Sequence, residues 1–163
     1  MVRRLTTIVA VDIAGFSRLI GLDEEGTLAA QRIHRAELVD RSIEAHVGRI
    51  ANTAGDSLLI EFSSAVEAVR CSIAVQEGMA ERNTVIPEDR RILYRIGINV
   101  GDVVAEGDDL LGDGVNIAAR LEAFANPGGV SISAAVYDQV RDRLEQRFED
   151  GGEHRLKNIA RPV

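Results

Sequence analysis

Hydrophobic and polar positions change their spacing several times along the chain, and each change marks an element. Leu5-Thr6-Thr7-Ile8-Val9-Ala10-Val11 is apolar and β-branched without helical spacing, which predicts a buried central strand ending at Asp12, with Gly15 and Ser17 at its exit. From Thr27 to Val47, the apolar residues Ala29, Ile33, Ala36, Val39, Ile43 and Val47 recur three or four apart. One amphipathic helix is expected there, stopped by Gly48. Arg49 to Thr53 and Ser57 to Phe62 read as short strands around the turn Ala54-Gly55-Asp56. Ser64 and Glu67 have capping spacing, and Val66, Val69 and Ile73 continue a helix to about Arg82. Asn83 to Arg91, with Pro87, is a loop.

Alternation resumes at Leu93, with Tyr94, Ile96, Ile98 and Val100 on one face and Arg95, Gly97 and Asn99 on the other. A reversal near Gly101-Asp102 into Val103-Val104-Ala105 is expected, then a polar loop from Gly107 to Gly112. A helix from about Asp113 to Phe124 is closed by Asn126-Pro127-Gly128-Gly129. Val130 to Ser133 is a short strand, Ala134 to Leu144 a short helix, and Arg147 to Asp150 a weak strand. The order β-α-β-β-α-β predicts an α+β fold of ferredoxin-like type, its two helices covering one face of a mostly antiparallel sheet that the later elements extend. One domain over residues 1–163 is expected, and the abrupt ending Arg161-Pro162-Val163 reads as a cut before further C-terminal structure.

Composition narrows the function. With 163 residues, 45% of them hydrophobic, the chain can bury a core without a staple. The lone Cys71 cannot form an internal disulfide and suits a reducing compartment. No apolar run approaches the roughly 20 residues of a membrane span, and Asp12 interrupts the only stretch resembling a leader. A cytoplasmic location without membrane insertion is therefore expected. A formal net charge of -7 disfavours nucleic acid as a partner. An anionic ligand would need a local solution, most simply metal ions held by carboxylates.

Asp12 closes an apolar strand, where a carboxylate must be paired; it reads either as a turn cap or as a metal ligand. Asp56 has the same ambiguity, and the predicted topology brings the two to one sheet end, where they could share divalent ions. Asn116 and Arg120, one helical turn apart, are either ordinary surface residues or an amide and a guanidinium aimed at one oligophosphate. His34, His46 and His154 lack metal-ligand spacing, and Cys71 reads as a core residue.

Four segments in register then resemble one family: Val11-Asp12-Ile13-Ala14-Gly15-Phe16-Ser17, Asn52-Thr53-Ala54-Gly55-Asp56-Ser57, Arg95-Ile96-Gly97-Ile98-Asn99-Val100-Gly101, and Asp109-Leu110-Leu111-Gly112-Asp113-Gly114-Val115-Asn116-Ile117-Ala118-Ala119-Arg120-Leu121-Glu122. Together they resemble the class III nucleotidyl cyclase homology domain of bacterial adenylate cyclase type, and the segment from Gly152 to Val163 resembles the end of such domains, which often continue into C-terminal modules. The resemblance implies conversion of ATP to 3′,5′-cyclic AMP and pyrophosphate by two divalent ions, Mg²⁺ or Mn²⁺, in sites shared between the subunits of a homodimer. It places Asp12 and Asp56 as metal ligands, Asn116 and Arg120 as the transition-state pair, and Ile13, Ala14, Gly15, Phe16 and Ser17 as the phosphate loop. It places Asp109 with Asn52 at the adenine and Lys157 at the triphosphate. Asn52 departs from the commonest adenylate pattern, which has Lys there. A guanylate cyclase, or a degenerate domain that binds nucleotide or dimerises, are the alternatives. A diguanylate cyclase is not, because Ala54-Gly55-Asp56-Ser57 lacks its turn signature.

Overall fold

The computed structural model describes residues 2–144, so the expected strand at Arg147 to Asp150, His154 and Lys157 lie outside it. Strands β1 (Val2–Ile13), β2 (Gly48–Ala54), β3 (Ser57–Phe62), β4 (Tyr94–Glu106) and β5 (Asp109–Leu111) form an antiparallel sheet in the order β2-β3-β1-β4-β5. A sixth strand, β6 (Val130–Ile132), runs parallel to β4. The first four positions, β2-β3-β1-β4, are the ferredoxin-like arrangement anticipated above, with β1 in its interior. Helices α1 (Phe16–Leu22), α2 (Glu24–His34), α3 (Asp40–Ala45) and α4 (Ala65–Asn83) precede β4, and α5 (Asp113–Phe124) and α6 (Ala134–Val140) follow it.

Strand alternation divides the core in two. Val9, Val11 and Ile13 of β1, Leu58, Ile60 and Phe62 of β3, and Ile96 and Ile98 of β4 face Val69, Val75 and Met79 of α4. The alternate residues Ile8 and Ala10 join Val103, Leu110 and Ala118 of α5 in a smaller cluster on the opposite face. Asp12 shares the parity of Ile8 and Ala10, so the α5 face carries the candidate chemistry. Gly97 makes that face possible: a Cβ there would collide with the Glu122 amide nitrogen and the Ala118 carbonyl of α5. The helix backbone therefore lies directly on the strand.

Several expectations change. The single helix from Thr27 to Val47 is three pieces: α2 begins at Glu24, capped by the Asp23 side chain accepting from the Gly26 amide, and a π-helical turn at Arg35–Val39 separates it from α3. A further helix, α1, comes before it. Gly48 does not stop a helix; it opens β2 because any side chain there would strike the Phe62 ring, and the reversal is made by Val47 at φ 60. No reversal occurs at Gly101-Asp102. β4 runs through it, paired with β1 from Ile13↔Tyr94 to Val2↔Ala105. Gly101 is small because α5 approaches: an added Cβ would sit 3.2 Å from Gly114 Cα. The turn comes at Gly107-Asp108, and the expected polar loop contains β5. α6 is shorter than expected, ending at Val140. Ser64 caps α4 as anticipated, accepting from the Glu67 amide at 3.2 Å.

Candidate active site

Asp12 lies directly opposite Arg95 in the β1–β4 register, so both oxygens of its carboxylate meet one guanidinium. Nε donates to Oδ1 at 3.0 Å and Nη2 to Oδ2 at 2.8 Å. Asp56 arrives from a different strand. The two-residue turn between β2 and β3 places Gly55 first, at φ 60, a conformation only glycine adopts cheaply. That turn folds Asp56 against the end of β1, where its Oδ2 accepts the Ile13 amide at 2.9 Å. The two aspartates singled out in the sequence thus meet at one sheet end.

Two residues of the cluster were not singled out in the sequence. Arg95 was visible as a polar alternate of β4 and as the first residue of one family-like segment, and Glu122 as the last residue of another, neither with a role. Burial, and then the neighbouring Asp12, push the Glu122 carboxyl up to about 8. Burial also works against the Asp12 carboxylate, but hydrogen bonds from Arg95 and then Glu122 outweigh it and hold Asp12 below the ordinary range. At neutral pH the proton of this pair belongs on Glu122, which donates to Asp12.

The donors here are hard carboxylate oxygens, the chemistry that suits Mg²⁺ or Mn²⁺. Among the described residues, no group of three or more His, Cys, Asp or Glu side chains is arranged to cage a metal unaided. An ion held by Asp12 and Asp56 would therefore complete its shell from backbone, water or nucleotide oxygen.

Asn52 and Asp109 come together at the far edges of the sheet. A β-bulge makes this possible: Ile50 pairs Ile60, but the next paired residue is Asn52, opposite Leu59, so Ala51 is extra. Strict alternation would have set Asn52 opposite Leu58, on the face beneath α4. The bulge turns it to the α5 face, where Nδ2 donates to Asp109 Oδ1 at 3.2 Å. The same oxygen accepts the Leu110 amide at 2.8 Å.

The remaining candidates are less engaged. Asn116 and Arg120 are exposed on α5, and no side-chain hydrogen bond or ion pair joins either to another described residue. In the expected phosphate loop, two amides are already occupied, Ile13 by Asp56 and Ala14 by the Leu93 carbonyl at 2.8 Å. Gly15, at φ 64, then opens α1, which has no side-chain cap at Phe16 and Ser17. Cys71 is buried in the core as expected, and burial pushes its thiol up to about 12.

Comparison with known proteins places this geometry. The model of the adenylate and guanylate cyclase catalytic domain matches residues 4–161. The chain is 47% identical over 161 residues to the protein named "Putative adenylate cyclase 3" of Rhizobium meliloti (strain 1021), covering 99% of this chain and 27% of that relative. It therefore spans about a quarter of that relative's length. The crystal structure of an adenylate/guanylate cyclase/hydrolase from Silicibacter pomeroyi matches with TM-score 0.92 and 44% identity, covering 99% of this chain and 94% of that one. That of the adenylyl cyclase CyaB from P. aeruginosa matches with TM-score 0.83 and 27% identity, covering 99% and 92%. Among the described residues no helix is long and apolar enough to cross a membrane.

Proposed function

The chain belongs to the adenylate and guanylate cyclase catalytic domain family, the class III nucleotidyl cyclases, and from that premise we propose that it converts ATP to 3′,5′-cyclic AMP and pyrophosphate as a cytoplasmic homodimer. The observation that carries the reading is the meeting of Asp12 and Asp56, brought from separate strands to one sheet end by the Ile13 amide. When bound, two divalent ions, Mg²⁺ or Mn²⁺, would supply acidity for the ribose 3′-hydroxyl and neutralise triphosphate charge, with Asp12 and Asp56 as the carboxylates that hold them.

The reaction joins the ribose 3′-oxygen to the α-phosphorus and breaks the bond to the β-phosphate oxygen, releasing pyrophosphate and the hydroxyl proton. Arg120 stabilises charge gathering on the α-phosphate, and Asn116 orients the ribose. Both project from α5 unpartnered by described side chains, which suits a site completed by the partner's Asp12 and Asp56. The amides opening α1, with Lys157 in support, receive the β and γ phosphates. Asp109 accepts the adenine amino group, and Asn52, with one N–H given to Asp109, has its second N–H for a ring nitrogen.

The test is incubation of the purified protein with Mn²⁺ and either ATP or GTP, with chromatographic detection of cyclic product. Cyclic AMP is expected from ATP, none after chelation by EDTA, and none from well-folded Asp12→Ala or Asp56→Ala. Nucleotide bound without turnover would identify a degenerate domain, and cyclic GMP as main product would identify a guanylate cyclase.

A further inference from the structure

β2 and β5 are the two ends of the antiparallel strand order, with three strands between them. The sheet curls until they meet, and Asn52 and Asp109 face each other across that seam. Among the described residues, side-chain hydrogen bonds cross it at two points. One is the Asn52–Asp109 bond itself, at 3.2 Å. The other is from Arg49, whose Nη1 donates to the Asp108 carbonyl at 2.8 Å.

The Arg49 bond differs in kind. It holds the backbone of the residue immediately before Asp109, inside the turn that begins β5. Its guanidinium is itself held, since Nη2 donates to Glu61 Oε1 at 2.8 Å from the directly opposed position of β3. Glu61 is held in turn by Arg4 of β1, through Nε at 3.0 Å and Nη2 at 2.8 Å. One carboxylate between two guanidiniums thus anchors a donor that reaches the base-pocket turn. A base entering the pocket must compete for the hydrogen-bonding groups of Asn52 and Asp109. Their spacing therefore has to be kept by something the base does not touch.

We infer that Arg49 is a positioning residue for base choice: it latches the Asp109 turn to β2, and Glu61 and Arg4 orient the latch. The inference rests on the reading of Asn52 and Asp109 as the base-recognising pair. Because Arg49 is substantially exposed, with 42% of its side chain accessible, its removal leaves the fold intact and acts on the seam.

The experiment compares wild type, Arg49→Ala and Arg49→Lys in two measurements. In the first, the ratio of kcat/KM for ATP to that for GTP is expected to fall about fivefold in Arg49→Ala, mainly through a higher KM for ATP. Arg49→Lys should recover part of it, since an ammonium still donates to the Asp108 carbonyl. The second is the Asn52 side-chain amide resonances in ¹⁵N NMR, identified by their loss in Asn52→Ala. They are expected to move toward solvent-exposed positions in Arg49→Ala, with a Tm lowered by no more than a few degrees. An Arg49→Ala protein that keeps its Asn52 resonances overturns the latch, whatever its selectivity. If wild type forms no cyclic product, the functional reading fails on its own, and the resonances alone decide the latch.

Discussion

Glu61 shows what a single side chain can do at a strand crossing. Burial raises the cost of ionising it, yet hydrogen bonds from Arg4 and then Arg49 win and lower its carboxyl to about 2. A carboxyl held below its ordinary value of 4.5 contributes stability that is complete above that value and is lost as pH falls toward about 2. The denaturation free energy of wild type minus that of Glu61→Gln should therefore shrink by about 1 kcal/mol between pH 6 and pH 2, a modest figure because solvent screens the arginine partners. Urea titrations at stepped pH measure it; a constant difference would show that the two arginines do not hold the acid. Asp12 differs although it too meets an arginine in register. Its second neighbour, Glu122, is itself an acid, so Asp12 is held by one arginine and by a carboxyl that keeps its own proton at neutral pH.

At the scale of elements, the seat of α5 on β4 is the contact most sensitive to one added carbon. Gly97→Ala would drive a methyl group into the α5 backbone at Ala118 and Glu122, neither of which can rotate away. Overpacking of this kind costs about 3 kcal/mol, and α5 would be lifted from the strand. Loss of both stability and cyclase activity is expected in Gly97→Ala, read by urea denaturation and product formation; full activity would mean that α5 need not sit so close. The same contact explains what could and could not be read from the sequence. α5 itself was legible from Asp113 to Phe124, because its apolar spacing and the Asn126-Pro127-Gly128-Gly129 stop are local. Asp12 and Asp56 were legible because element order alone sends both to one end. Gly101 looked like a turn, since a glycine kept small for a distant helix is indistinguishable from one kept for its backbone freedom. The bulge at Ala51, the Asp12–Arg95 pairing and the approach of Glu122 depend on register between strands far apart in sequence, which periodicity does not carry. The π-helical turn at Arg35–Val39 likewise interrupts a run whose spacing reads as one continuous helix.

Across the whole molecule, the proposed division of labour between two copies makes a prediction that one chain cannot. Asp12→Ala and Arg120→Ala proteins should each be inactive. When they are mixed under conditions of subunit exchange, activity should return, since one of the two sites in a mixed dimer has both metal ligands and the arginine. Mass spectrometry of the mixed dimer alongside product formation tests this, and exchange without recovery would place the whole site within one chain. In such a dimer, α5 of a given chain reaches into one centre while the Asp12 end of the same chain builds the other. Those two parts touch, through the helix lying on Gly97 and through Glu122 against Asp12. The pair of centres therefore shares a strut in each protomer. In the proposed dimer, seating a nucleotide at one centre is expected to press on the carboxylates of its twin, so initial rates against ATP should depart from a simple hyperbola; a hyperbolic curve would show that the two centres act independently.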